Sequence, residues 1–351
     1  MNYKETLFFI GKCLTINYEA HNYKIIENLL KSGNIDWDPV VKVSTNHYVF
    51  PALYCNLKRA HFLHYLPKDL VEFMKHITDL NRERNEQIIA QAKEINEILI
   101  DHNITPIFLK GTGNLLEGLY EDIAERMVGD IDFLVSDKNY KNTITILESQ
   151  GYSKDENQID TTFVNRHYPK IVHKKRIGAL EIHFKMVLAP YDDYFNFKTI
   201  KSEIKKINSI AVLSFKDQIL MTSFNQQINN HGVYLKSISL RGSYDLFLLS
   251  KKASTISALK KVSKYFNQLN SFIASTSRLF NNPESLVFER NNESDKFISK
   301  QLFFIENTKA YSKNKKNWEL YFLYKSRLSI FLKMFYNKEN RQYVIDRIFK
   351  K

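Results

Sequence analysis

The sequence predicts an α+β protein in which a small α/β unit sits between two helical regions. Three observations point there. Glycine (10) and proline (7) are scarce in 351 residues, so few positions can punctuate the chain and helices are favoured. Apolar residues recur at helical spacing through the first 100 residues and again after residue 215. Between these stretches, short apolar runs bounded by glycine and charge read as strands.

The elements follow in order. Residues 3–13 and 22–31 read as short helices, and Asn34-Ile35-Asp36-Trp37-Asp38 opens another. Pro67 fits the first turn of a long helix to about residue 102, with Leu70, Phe73, Met74, Ile77 and Leu80 on one face. Residues 105–109 form a plausible buried strand. Lys110-Gly111-Thr112-Gly113 breaks it as a turn, and residues 114–120 resume helical spacing. Residues 131–135 are a second strand, and Ser136 or Asp137 is placed to cap a helix through Gln150 that Gly151 ends. Residues 162–174 and 179–187 read as two strands around a hairpin-like break at 174–178. The expected division is a helical region over 1–103, an α/β core over 104–190 and a mainly helical region over 191–351, basic after 250.

Composition narrows the function classes. A chain 44% hydrophobic and 25% charged is not wholly disordered. Two cysteines, Cys13 and Cys55, cannot build a disulfide framework or a thiolate zinc site. The first apolar stretch is too short and too charged for a signal peptide. No window approaches a membrane span, so a cytoplasmic protein without a transmembrane segment is expected. The net charge of +13 is localised: residues 1–250 carry 30 basic and 30 acidic side chains, residues 251–351 carry 21 and 8. That end is expected to face a polyanion or an anionic surface, or else to be a solvated basic surface.

The sharpest feature is Gly129-Asp130-Ile131-Asp132-Phe133-Leu134-Val135. Side chains alternate along a strand, so Asp130 and Asp132 share one face while Ile131, Phe133 and Val135 enter the core. Two adjacent carboxylates repel unless a cation sits between them, which makes the pair a natural divalent-metal site. By the same argument, Asp132→Asn is expected to relieve repulsion. In Leu180-Glu181-Ile182-His183-Phe184, Glu181 and His183 share a face, so a third carboxylate can converge on the first two if the strands are neighbours. Lys110-Gly111-Thr112-Gly113 joins strand to helix, where backbone N–H groups and a lysine suit phosphate. Arg126, four residues before Asp130, is placed to contact a polyphosphate or a carboxylate. Alone, each piece has a plain reading: an exposed strand end, a turn, a structural histidine. Their order and spacing together carry the inference.

The run FLKGTGNLLEGLY, then RMVGDIDFLV, then a helix ending in GY, then ALEIHF resembles the uncharacterised nucleotidyltransferase family of the DNA polymerase β-like superfamily. The resemblance spans about residues 35–250 and is strongest at 105–185. It implies a mixed sheet with flanking helices and transfer of a nucleoside monophosphate from an NTP, with release of pyrophosphate. It implies two Mg²⁺ ions, with Mn²⁺ as a substitute, held at the positions matching Asp130, Asp132 and Glu181. On their own positions, Lys110, Gly111 and Thr112 are expected to hold the triphosphate, Arg126 to orient phosphate or the D-x-D strand, and His183 to line the nucleotide site. The superfamily's usual Gly-Ser is Gly111-Thr112 here, and the linker to the D-x-D is longer than in better-known members. The acceptor expected is an RNA such as tRNA, a small hydroxylated molecule, or a protein hydroxyl. Two other classes compete: a binding protein that keeps the fold without catalysis, and a membrane-surface or interaction protein using residues 321–333. Apolar residues run almost all the way round that segment, which suits a buried helix better.

Overall fold

A computed structural model describes residues 1–154 and 166–349. Five helices come first: α1 (Tyr3–Cys13), α2 (Ala20–Lys31), α3 (Trp37–Asn46), α4 (Phe50–Arg59) and the long α5 (Lys68–Asp101). A seven-stranded mixed sheet follows, built from β1 (Ile107–Phe108), β2 (Asp130–Leu134), β3 (Ser153–Lys154), β4 (Ile171–Val172), β5 (Ala179–His183), β6 (Lys205–Ile207) and β7 (Ile210–Val212). Its order is β3-β4-β5-β2-β1-β7-β6, with β2/β5 and β1/β7 parallel and the other pairs antiparallel. Helices α6 (Lys110–Glu117), α7 (Tyr140–Ser149) and α8 (Phe197–Ile200) are interspersed. Then come α9 (Phe215–Phe224), α10 (Gly232–Leu235), α11 (Leu240–Ser250), α12 (Thr255–Lys260), α13 (Phe266–Leu279), α14 (Asn292–Glu306), α15 (Thr308–Lys333) and α16 (Lys338–Phe349). The α+β class read from the sequence is the observed one.

Several local expectations change. Two strands come from residues 205–212, beyond the expected end of the α/β core at 190. The segment 110–113 is not a free turn. Lys110 takes a left-handed backbone (φ 52°), the chain turns at that one residue, and α6 starts there. Gly113 is required because a Cβ would stand 2.7 Å from the Phe108 carbonyl oxygen, where helix and strand touch. Neither Ser136 nor Asp137 caps α7, which begins later, at Tyr140. The strand expected over 162–174 shortens to β4, and its first residues, 162–165, lie outside the described ones.

On α5 the expected face is only partly correct. Met74 is buried, but Phe73 and Leu80 are about half exposed. The core stripe instead runs through Met74, Asn81, Asn85, Ile88, Ala92, Ile95 and Leu99. The two asparagines are core residues because the loop before β2 has unpaired carbonyls. Asn81 donates to the Ala124 carbonyl (2.7 Å), and Asn85 to those of Ile123 (2.6 Å) and Arg126 (2.7 Å).

The two ends of the chain share one core. Buried Asn22 donates to the Phe280 carbonyl (2.9 Å), and Lys251 pairs with Glu19 at 2.6 Å. Helices α1 and α13 approach so closely that a Cβ at Gly11 would lie 2.5 Å from the Leu279 carbonyl oxygen. The expectation of a buried helix over 321–333 does not hold: α15 has no buried residue. One side of it rests on α10, where Phe322 stacks on His231 (3.9 Å) and Trp318 meets Tyr234 (4.5 Å).

The join between α3 and the C-terminal helices carries a pH dependence. His47 Nδ1 accepts the Leu240 N–H at 3.4 Å, and its Nε2 is 3.3 Å from the Tyr3 hydroxyl. Burial pushes this imidazole down to about 4. The unfolded chain, with histidine near 6.5, therefore binds more protons over that interval, and stability falls as pH drops from 6.5 toward 4. Urea unfolding at pH 7 and pH 5 should differ by roughly 1–2 kcal/mol from this group. His47→Gln should remove that part of the difference; an unchanged difference would refute the assignment.

Candidate active site

The site is built by two strands in register. In the parallel pair β2/β5, Asp132 lies directly opposite Glu181. Ile131, Phe133, Leu180 and Ile182 are all fully buried on the core face, so the alternation leaves Asp130, Asp132, Glu181 and His183 on the other. His183 is itself fully buried; its Nε2 is 2.9 Å from Asp132 and 3.4 Å from Glu181. One ligand atom each from Asp132, Glu181 and His183 lies within 4.8 Å of the others.

Two lysines complete the cluster. Lys110 Nζ touches Asp132 (2.5 Å) and Glu181 (3.4 Å). Lys170 Nζ touches Asp130 (2.7 Å) and the other oxygen of Glu181 (3.3 Å). The three carboxylates thus frame two positions, each filled by a cation. Asp130 stands outside the tight Asp132–Glu181–His183 group and reaches Glu181 through Lys170. Burial pushes the Glu181 carboxyl up, but the His183 hydrogen bond and the Lys110 charge outweigh it and hold Glu181 well below the usual carboxylate range.

The other candidates are placed as follows. Gly111 lines the cavity in front of the acidic cluster. Thr112 is fully buried, and its hydroxyl donates to the Asp130 carbonyl (2.9 Å), so it ties α6 to β2. Arg126 forms a buried pair with Asp245 on α11, with both Asp245 oxygens 3.0 Å from its Nε. Of the two partners expected for Arg126, the structure supplies the carboxylate. Asp245 also accepts from the Tyr120 hydroxyl at 2.7 Å. Burial pushes the Arg126 guanidinium down and the Asp245 charge more than restores it. The cavity encloses about 280 Å³. Its lining joins the acidic cluster, Lys110 and Gly111 to an amide-rich part with Gln218, Asn225, Gln226, Asn230 and Arg241. The Gln218 side chain is buried and its Oε1 has no partner among the described residues.

Lys170, Asp245 and the amide wall were not singled out from the sequence. Asp245 lies 119 residues from Arg126, and no local pattern marks it. Lys170 carries a weak signal: it lies within the strand expected over 162–174, across the hairpin-like break from Glu181.

A mixed sheet flanked by helices thus sets carboxylates on adjacent parallel strands at the mouth of a polar cavity. Residues 33–275 match the family model described as an uncharacterised nucleotidyltransferase, and the chain belongs to that family. Neither a curated protein nor a solved structure matches it.

Proposed function

We propose that the protein transfers a nucleoside monophosphate from an NTP to an acceptor hydroxyl, using Mg²⁺. The observation that carries this reading is the in-register pairing of Asp132 with Glu181, with Asp130 one step along, at the mouth of a polar cavity. The donor set fits a divalent cation: hard carboxylate oxygens converge, and the two positions between them already attract ammonium groups. Asp130, Asp132 and Glu181 would hold it, with His183 beside them. When bound, a divalent cation neutralises phosphate charge and polarises phosphoryl oxygens.

The chain's own groups do the rest. Lys110 and Lys170 stand ready to pair with phosphate oxygens. The first N–H groups of α6, at Gly111 and Thr112, add a positive helix end beside the cavity. Arg126, fixed by Asp245, backs the Gly111 wall. Glu181 would complete the ligand set of the cation beside the acceptor hydroxyl. In the reaction the acceptor hydroxyl loses its proton to water, its oxygen bonds to the α-phosphorus, the α–β phosphoanhydride bond breaks, and pyrophosphate leaves. Positioning and charge stabilisation supply most of the acceleration in such a transfer. The acceptor is an RNA or a small hydroxylated molecule.

The test is incubation with each of the four α-³²P-labelled NTPs, Mg²⁺ and a cell extract, followed by separation of RNA, protein and small molecules. Label should enter one fraction from one or more NTPs. No label with any of the four would leave a non-catalytic binding protein as the reading.

Gly111→Val probes the phosphate wall. A Cβ there would meet Val128 Cγ2 at 2.9 Å and Arg126 Cζ at 3.3 Å, so even alanine crowds the wall. The branched side chain should weaken NTP binding by at least about tenfold, an overpacking cost of about 1–3 kcal/mol falling on the cavity. Equal affinity in calorimetric titration would show that Gly111 does not face the nucleotide.

A further inference from the structure

Helix α15 presents an apolar stripe that nothing in the described chain covers. Leu320, Tyr324, Leu328 and Phe331 recur at i, i+4, i+8 and i+11, which is one helical face, and Phe335 follows in the turn just past the helix end. Their exposures run from 40% to 66%. Tyr321 and Leu332 widen the stripe and are each about half exposed. The opposite side carries Trp318 and Phe322, the residues packed on α10. The apolar residues that run almost all the way round this helix in sequence are therefore two faces with different fates: one docks, the other is open.

Charge specifies what the open face suits. Helix α15 holds Lys309, Lys313, Lys315, Lys316, Lys325, Arg327 and Lys333 against the single acid Glu319. On a helical projection Arg327 and Lys325 flank the stripe on its two sides. From Leu320 to Leu332 the stripe is about 18 Å long. An apolar face with a basic rim is what an interfacial helix needs, with side chains among acyl chains and cations among anionic headgroups. A second copy seated on this face would oppose two strongly basic helices. Nucleic acid would satisfy the lysines but leave leucine and phenylalanine in water.

We propose that α15 seats the protein on an anionic lipid surface, lying in the plane of the interface. No helix of the described residues is long and apolar enough to cross a membrane, so the contact is with one leaflet. This proposal is independent of the reaction assigned to the acidic cluster.

The test uses the full chain and phosphatidylcholine vesicles with and without phosphatidylserine. Co-sedimentation should require phosphatidylserine and weaken with added salt. Leu328→Glu combined with Phe331→Glu should lower partitioning at least about tenfold, because both the apolar insertion and the charge balance are lost. Lys325→Ala and Arg327→Ala should each cost roughly fivefold. Melting temperature should not move in any of these variants, since none of the residues is buried. Equal binding to both vesicle types would overturn the proposal. So would unchanged binding by the double glutamate variant. A concentration-dependent dimer that this variant abolishes would assign the stripe to a second copy instead. Tight RNA binding without vesicle binding would assign the charge to nucleic acid.

Discussion

Asp132→Asn should lower nucleotidyl transfer by about 10²–10³-fold, the usual effect of removing one preorganised electrostatic group from such a site. It should also lower the melting temperature. The second half reverses the expectation from sequence, where two neighbouring aspartates suggest repulsion that the substitution relieves. In the folded protein Asp132 is not facing bare carboxylates. Lys110 lies 2.5 Å from it and His183 2.9 Å, and Lys170 takes up the charge of Asp130. Neutralising Asp132 leaves Lys110 with only its 3.4 Å contact to Glu181 among the carboxylates. Loss of a charged hydrogen bond in this part-buried setting costs about 1–3 kcal/mol. Labelled-NTP transfer and a thermal melt of the same preparation check both halves. Transfer at the parent rate would remove Asp132 from the reaction. A higher melting temperature would show that repulsion dominates after all.

Asp245→Ala should be the most destabilising single change near the site, by about 3–5 kcal/mol, the cost of stranding one member of a buried ion pair. Arg126 is almost fully enclosed and takes three contacts of 3.0 Å from this one carboxylate. Tyr120 would lose its 2.7 Å acceptor as well. The urea midpoint should fall accordingly. Because a poorly folded protein says nothing about function, a second variant separates the two roles. Arg126→Met with Asp245→Leu replaces the pair by apolar groups of similar bulk and should recover much of the stability. If that double variant binds NTP as the parent does, Arg126 serves the fold alone. If it is stable and binds weakly, the guanidinium supports the nucleotide wall.

What sequence reading recovered here, and what it missed, divides along physical lines. Asp130, Asp132, Glu181 and His183 were legible because strand alternation is a local, two-residue rule. It places them on one face wherever the strands go. That β2 and β5 are neighbours, with Asp132 opposite Glu181, is a pairing property which the family resemblance suggested and periodicity could not. The helical regions were legible from spacing. The buried face of α5 was not, because Asn81 and Asn85 are polar residues doing a core residue's job: they satisfy carbonyls of a loop some 40 positions away. The ion pairs of Lys110 and Lys170 escaped for the same reason, since both contacts depend on tertiary placement. Lys110 in a left-handed conformation is likewise invisible to propensity, which would ask for glycine there.

The contact at Gly11 has a consequence for how the protein is made. Helix α1 leaves the ribosome well before its close neighbour α13. Part of α1 finds its neighbours early, as Phe9 meets Trp37 of α3 edge to face at 6.1 Å, but its Gly11 side lacks its partner until α13 is made. The long wait is entropically modest, because closure cost grows only with the logarithm of the intervening length. It is nonetheless obligatory for this contact: the Gly11 side of α1 is covered only when residue 279 has arrived. A fragment starting at the sheet, or ending before α13, would therefore expose one half of a shared interior to water. Vectorial synthesis leaves one side of α1 waiting for a helix made more than 250 residues later.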